Sequence, residues 1–277
     1  MHELKTKDIE RSIVKTYHTG LWSPFVKAVK EYELVQEGDR IAVCISGGKD
    51  SFLLAKLLQE LQKHKKVNFG LEFICMDPGY KEENRKLIEE NVALMGIPLT
   101  IFETRIFDAV DHIEKNPCYL CARMRRGYLY RKAQELGCNK IALGHHFDDV
   151  IETVLIAMFY AGKFETMMPK LHSTNFPGME LIRPLYMVRE DQVKAWRDYN
   201  QLRFLRCACH FTEEIEKEDG EMESKRKEMK ELIAKMSETN PSVAANIFKS
   251  MSNVNLETLP GYKIGKEKHS FLEDYGS

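Results

Sequence analysis

Three groups of residues in this chain are of types, and at spacings, that do chemistry. The first is the string Ser46-Gly47-Gly48-Lys49-Asp50-Ser51. Two adjacent glycines let a backbone approach oxygen atoms closely and take dihedrals that other residues resist. A helix beginning directly after them offers unsatisfied N–H groups and the positive end of its dipole. Ser46 and Ser51 add hydroxyls and Lys49 adds a cation, so the string reads as a phosphate cradle. It lacks the G-x-x-x-x-G-K-[ST] spacing of a Walker A loop and the G-x-G-x-x-G of a dinucleotide fingerprint.

The second group is Gly144-His145-His146-Phe147-Asp148-Asp149. Two neighbouring carboxylates at a helix start suit a hard, oxygen-loving cation such as Mg²⁺ bridging phosphates. The competing use is as a helix cap. The two histidines are read as packing or hydrogen-bonding within the loop.

The third group is two close cysteine pairs, Cys118/Cys121 and Cys207/Cys209. Cys118 and Cys121 open a helix, where thiolates are favoured electrostatically. Redox dithiol chemistry has no need of a distant second pair, whereas a metal centre does. Four thiolates fit a closed structural zinc; three fit a [4Fe–4S] cluster with one iron left open. The tight C-x-C spacing of the second pair tilts the choice toward the cluster. Cys44, Cys75 and Cys138 stand singly among apolar neighbours and read as buried, inert thiols.

Alternating elements position these groups. Arg40–Ile45 is a nearly continuous apolar run, the mark of a strand buried on both faces, and Lys49–Leu61 carries a helical period. Strands over Leu71–Met76, Leu99–Phe102 and Lys140–Leu143 alternate with helices over Lys81–Met95, Pro117–Leu136 and Asp148–Tyr160. That alternation predicts an α/β fold built on a parallel sheet, with its strand-end loops gathered at one rim where ligands bind. Residues 1–37 read as an N-terminal helical segment and 38–212 as the sheet domain, with a last strand over Ile182–Leu185 and a helix over Glu190–Tyr199. Residues 213–277 read as a helical extension and a loose tail. Ile215, Met222, Met229 and Met236 recur every seven positions there, predicting a helix with one face on the body.

The 277 residues suffice for a sizeable core without disulfides, and the seven cysteines are an odd number. No apolar run approaches the roughly 20 residues of a membrane span, and no apolar signal core follows Met1. The expectation is a cytoplasmic protein away from membranes. A net charge of −1 does not announce nucleic-acid binding. Lys115 to Lys132, however, holds six basic residues and no acidic one, with Tyr119, Tyr128 and Tyr130 interleaved. Such a helix suits RNA phosphates and a stacked, unpaired base; its arginines equally suit carboxylates or ATP phosphates.

The Ser46–Ser51 string resembles the PP-loop of the N-type ATP pyrophosphatases, and GHHFDD resembles the G-H-x-x-D-D signature of that superfamily. The segment Pro117-Cys118-Tyr119-Leu120-Cys121-Ala122-Arg123-Met124-Arg125-Arg126-Gly127-Tyr128-Leu129-Tyr130 is more specific. It resembles the P-C-x-L-C-x-R-x-R-R-G-x-L-Y segment of the tRNA 2-thiocytidine synthetases. KIALGHH (140–146), Met158-Phe159-Tyr160 and Arg183-Pro184-Leu185 extend that likeness from before the phosphate loop to Val254.

The resemblance implies a Rossmann-like PP-loop domain of the adenine nucleotide α-hydrolase kind. It implies ATP cleavage between α- and β-phosphates, adenylation of a cytidine C2 oxygen in tRNA, and replacement of that oxygen by sulfur. ATP would sit on Ser46, Gly47, Gly48, Lys49, Asp50, Ser51 and Gly144, with Asp77 beside the adenosine. Catalytic roles fall on Lys49, Asp50, Asp148 and Arg126, with Mg²⁺ at the phosphates. A [4Fe–4S] cluster would rest on Cys118, Cys121 and a later cysteine. This chain has Arg206-Cys207-Ala208-Cys209 where better-known members have P-C-x-x-C, so Cys209 and Cys207 are both carried, with Cys209 preferred. A cysteine desulfurase as sulfur donor and a homodimer are further implications. Two rivals keep part of the pattern: an amide- or amidine-forming ligase similar to lysidine synthetase, and a zinc-stabilised RNA-binding module.

Overall fold

The computed structural model describes residues 2–104, 106, 117–205, 220–273 and 275, with side chains from 5–104, 106, 124–205, 225–273 and 275. Two N-terminal helices, α1 (His2–Arg11) and α2 (Ser23–Glu31), are joined by wide π-helical turns over Ser12–Thr16 and His18–Trp22. Then follow β1 (Arg40–Cys44), α3 (Lys49–Lys63), β2 (Gly70–Asp77), α4 (Glu82–Met95), β3 (Leu99–Glu103), α5 (Pro117–Glu135), β4 (Lys140–Ala142) and α6 (Phe147–Ala161). Strands β5 (Lys170–His172) and β6 (Glu180–Ile182), helices α7 (Glu190–Tyr199), α8 (Gly220–Thr239) and α9 (Val243–Ser250), and a hairpin of β7 (Gly261–Ile264) and β8 (Glu267–Ser270) complete the order.

The first six strands form one sheet in the order β3-β2-β1-β4-β6-β5, parallel except for the edge strand β5. The order reverses at β1, whose neighbours are β2 and β4, so a crevice opens between the loops that follow β1 and β4. The continuous apolar reading of β1 has its cause here. Ile41 and Val43 face a core shared with Phe52 and Leu53 of α3, while Ala42 and Cys44 face a second core with Tyr130 and Ala133 of α5. The N-terminal helices contribute Ile9, Ile13, Leu21 and Phe25 to the first of these cores.

At the opposite rim, Lys140 is buried between Asp39 (2.8 Å) and Glu180 (3.1 Å) and donates to the Leu34 carbonyl at 3.1 Å. That cluster ties the starts of β1, β4 and β6 together, leaving the other rim to ligands.

The expectations for the last strand, the tail and the C-terminal helix needed correction, and one further strand, β5, was not among them. The last parallel strand is Glu180–Ile182, since Pro184 has no N–H for a ladder and the chain turns at Arg183–Val188. The three-residue edge strand β5 is too short to show any alternation. The tail holds the β7–β8 hairpin, two short strands whose residues are mostly exposed and so carry no apolar pattern. In α8, Met229 is buried as the seven-residue spacing predicts, with Ile233 buried beside it, but Met236 is exposed; Ile215 and the Met222 side chain lie outside the described residues. Among the described residues, no helix is long and apolar enough to cross a membrane.

Candidate active site

The loop between β1 and α3 is shaped by its glycines and by contacts from three directions. Gly47 has φ +87°, and a Cβ there would stand 2.6 Å from Leu205 Cδ1 and 3.2 Å from Ile88. The backbone N–H of Leu205 donates to the Gly47 carbonyl at 3.1 Å, so the chain leading to residue 206 lies against the loop. Gly48 is the N-cap of α3 and leaves the first helical N–H groups to the crevice. The Ser51 hydroxyl donates to the Gly48 carbonyl (2.8 Å) and accepts the Ser46 N–H (3.2 Å), bracing the turn from inside.

Lys49 sits between two carboxylates, Asp50 at 3.0 Å and Glu190 at 3.2 Å. Glu190 also binds Lys194 (2.8 Å) and Lys230. Burial would raise the Glu190 pKa, but hydrogen bonds from Lys194 and Lys230 and the charge of Lys49 outweigh it and hold the carboxyl far below the usual range.

The loop after β4 presses on the start of α3. A Cβ on Gly144 would meet the backbone of Asp50 and Ser51 at 3.1 Å. Its two acidic residues then part company. Asp148 accepts from Arg189 Nε (3.1 Å) and from the Glu190 N–H (2.7 Å), so it anchors the start of α7. Asp149 closes a capping box, accepting the His146 N–H at 2.9 Å while its own N–H reaches His146 Nδ1 at 3.4 Å. Its other oxygen holds Arg226 of α8 at 2.7 Å.

These loops and α5 line a cavity of about 420 Å³ that sets Ser46, Asp50, Ser51, Gly144, His145, Asp149, Arg125 and Arg226 beside apolar neighbours such as Met76 and Leu129. Three of its polar atoms, Asp50 Oδ1, Arg125 Nε and His145 Nδ1, are buried with no hydrogen-bond partner. Orphaned groups are costly unless something polar completes them. Burial lowers the His145 pKa to about 4, so the ring is neutral near pH 7 and serves as a hydrogen-bonding group rather than a cation. A second, more apolar cavity of about 410 Å³ lies at the opposite rim among Trp22, Val26, Leu61 and Phe69, away from the loop.

The structure thus brings Ser46, Asp50, Ser51 and Gly144 to one cavity, with Lys49 and Gly47 beside them. Asp148 is committed elsewhere, and Asp149 faces the cavity in its place. Asp77 lines a neighbouring hollow: its carboxylate takes the Gly79 and Tyr80 N–H groups (2.9 and 2.7 Å) and an ion pair with Arg85 (2.8 Å). Arg126 is exposed on α5 beside the buried Arg183, and the guanidinium that reaches the cavity is Arg125. Arg125, His145 and Arg226 are the residues that sequence reasoning missed as site residues. A capping-box reading of His146-x-x-Asp149 was the one available signal that Asp148 and Asp149 differ.

Cys118 and Cys121 fall in the first turn of α5, at helical spacing from Arg125 and Leu129, which line the cavity. Their side chains, and Cys207 and Cys209 altogether, lie outside the described residues. Among those described, no three His, Cys, Asp or Glu side chains converge as a metal site. The lone cysteines are as expected: burial pushes the Cys44 and Cys75 thiols up to about 12 and Cys138 to about 11.

Residues 21–213 match the family model of the PP-loop domain. A tRNA-cytidine(32) 2-sulfurtransferase of Alkalilimnicola ehrlichii is 36% identical over 257 residues, 90% of this chain and 76% of that protein. Another so named, of Citrifermentans bemidjiense, is 36% identical over 83% of this chain and 88% of its own length. In structure the chain is similar to the U34-tRNA thiolase NcsA of Methanococcus maripaludis, described with its [4Fe–4S] cluster. The TM-score is 0.63 at 22% identity, covering 87% of this chain and 80% of that one. The fold is therefore shared.

Proposed function

This chain belongs to the PP-loop domain family and, within it, to the tRNA-cytidine(32) 2-sulfurtransferases, and on that premise we propose that it is an ATP-dependent enzyme that adenylates a tRNA cytidine at C2 and replaces the oxygen with sulfur. The observation that carries the reading is the cavity itself. Asp50, Arg125 and His145 are buried there with unmet polar atoms, beside a glycine-built helix start. A phosphate that arrives with a divalent cation answers these needs together: the phosphate oxygens would accept from Arg125 and from His145, and the cation would meet the Asp50 carboxylate.

ATP phosphates occupy the turn of Ser46 to Ser51, taking hydrogen bonds from the N–H groups at the start of α3. Lys49 and Arg125 balance the charge that builds on the phosphates during transfer. The C2 oxygen of the cytidine attacks the α-phosphorus, the bond to the bridging oxygen breaks, and pyrophosphate leaves. The oxygen at C2 is now part of AMP, a good leaving group. Hydrosulfide adds at C2, AMP departs with the C2 oxygen, the sulfur loses its proton, and 2-thiocytidine remains. His145, neutral and hydrogen-bonding, orients a polar edge in the cavity and exchanges no proton with it.

Two groups suit the donor chemistry of this chain. Asp50 and Asp149 offer carboxylate oxygens to a cation of the Mg²⁺ kind, which keeps several waters and needs few protein ligands. Cys118 and Cys121, with Cys209 or Cys207, are a soft thiolate set suited to an iron–sulfur cluster, which would supply the sulfur. The first pair opens the helix that carries Arg125, and the second follows Leu205, which is hydrogen-bonded to Gly47. Thiolates brought to the phosphate loop would serve sulfur transfer, and would serve neither a lysidine-type ligase nor a simple binding module.

The test is pyrophosphate release by anaerobically purified protein. Release that requires both ATP and unmodified tRNA, from a brown protein with broad visible absorbance, is the expected result. A colourless zinc protein, or release indifferent to tRNA, contradicts the reading.

A further inference from the structure

Helix α8 begins beyond residue 213, where the match to the PP-loop domain ends. It nevertheless reaches the nucleotide cavity. Arg226 is part of the cavity wall, its Nη1 2.7 Å from Asp149 Oδ1 and its Nε 3.9 Å from Glu152 Oε2. The Arg226 side chain is two-fifths exposed, while Asp149 and Glu152 beneath it are largely covered. Four residues on, Lys230 binds Glu190, the carboxylate that also holds Lys49 of the phosphate loop. The helix therefore touches the site at two points, both through cations.

Charge in the cavity argues for a purpose. In the cavity wall Asp149 pairs with Arg226, while Asp50 pairs with Lys49 of the phosphate loop. ATP arrives with its cation. A divalent ion held by Asp149 would take up the oxygen that Arg226 now uses, and the freed guanidinium would face a polyphosphate rather than a carboxylate. Glu152 is a weak rival for it, because burial lifts that carboxyl to about 7 despite the arginine. An arginine fork makes paired, charge-assisted bonds to phosphate, with geometry a lysine lacks.

Resting on the ATP-dependent reading above, we propose that Arg226 is a phosphate-binding residue of the nucleotide site, supplied by the helix outside the matched domain and held by Asp149 until ATP enters. The extension is then part of the active site, and its docking reports whether nucleotide is bound.

Equilibrium binding of Mg·ATP and of adenosine to the full-length protein tests this, using R226A, R226K and E228Q. Glu228, on the same helix but outside the cavity wall, accepts a hydrogen bond from Tyr160, so E228Q weakens docking by making that acceptor neutral, without touching the site. The expected result is a loss of ATP affinity of about 10- to 100-fold in R226A, partly recovered in R226K, with adenosine affinity and E228Q within about two-fold of wild type. ATP affinity unchanged in R226A, or lost equally in E228Q, or a matching loss for adenosine, overturns the assignment. Failure of the wild-type protein to bind ATP would instead sink the ATP-dependent reading on which it rests.

Discussion

Gly47 and Gly144 are where single atoms decide whether the two loops can meet. At Gly47 an added methyl would collide with Leu205 at 2.6 Å in a left-handed conformation, which costs L-residues about 1–2 kcal/mol before any clash. G47A is expected to lower stability by about that amount and to reduce ATP-dependent turnover at least tenfold. At Gly144 the neighbour is backbone at 3.1 Å, so G144A shifts the loops by tenths of an ångström. A raised KM for ATP with a smaller loss of stability is the outcome to look for by steady-state kinetics and thermal melts. Glu152 yields a pH prediction. Its carboxyl titrates near 4.5 when unfolded and about 7 when folded, so the folded state binds the extra proton and stability falls as pH rises from 4.5 to 7. E152Q lacks that penalty. Its stability relative to wild type should grow between pH 5 and pH 8, on the order of 1–3 kcal/mol; a difference independent of pH would show the carboxyl to be unburdened.

Among elements, the parallel strands and their helices were legible because a short, continuous apolar run fits little except a strand buried on both faces. Strand β1 divides its side chains between two cores as that pattern requires. Chemistry-bearing loops were legible for a related reason: the residue types in Ser46–Ser51 have little use together except around phosphate. Choosing between Arg125 and Arg126, or Asp148 and Asp149, was beyond the sequence. Neighbours on a helix point about 100° apart, and which one faces the cavity is set by partners such as Arg189 and Glu190, some 40 residues distant. Short edge elements such as β5 and the β7–β8 hairpin left no periodic trace. The buried Lys140 cluster gives the test at this scale. Removing one partner of a buried ion pair leaves an uncompensated charge, so K140A is expected to cost about 3–5 kcal/mol in denaturant unfolding. Since the cluster lies at the rim opposite the cavity, the folded fraction should keep its affinity for ATP. Loss of ATP affinity without loss of stability would contradict that division of labour between the two rims.

Taken whole, the molecule sets a phosphate cradle, a basic helix opening with two cysteines, and a C-terminal helix around one crevice of a twisted sheet. On the proposed mechanism, adenylation and sulfur delivery serve a tRNA only if the adenylated base is met by sulfide before water reaches it, and a shared crevice would provide for that. The decisive measurement is mass spectrometry of nucleosides from unmodified tRNA incubated anaerobically with the cluster-loaded protein, ATP, Mg²⁺ and a sulfide source, beside the K49A and C118S proteins. The account predicts 2-thiocytidine appearing with AMP in equal amounts, and none from either variant. Thiolated cytidine formed without ATP, or AMP formed with tRNA while every cytidine stays unmodified, would contradict it.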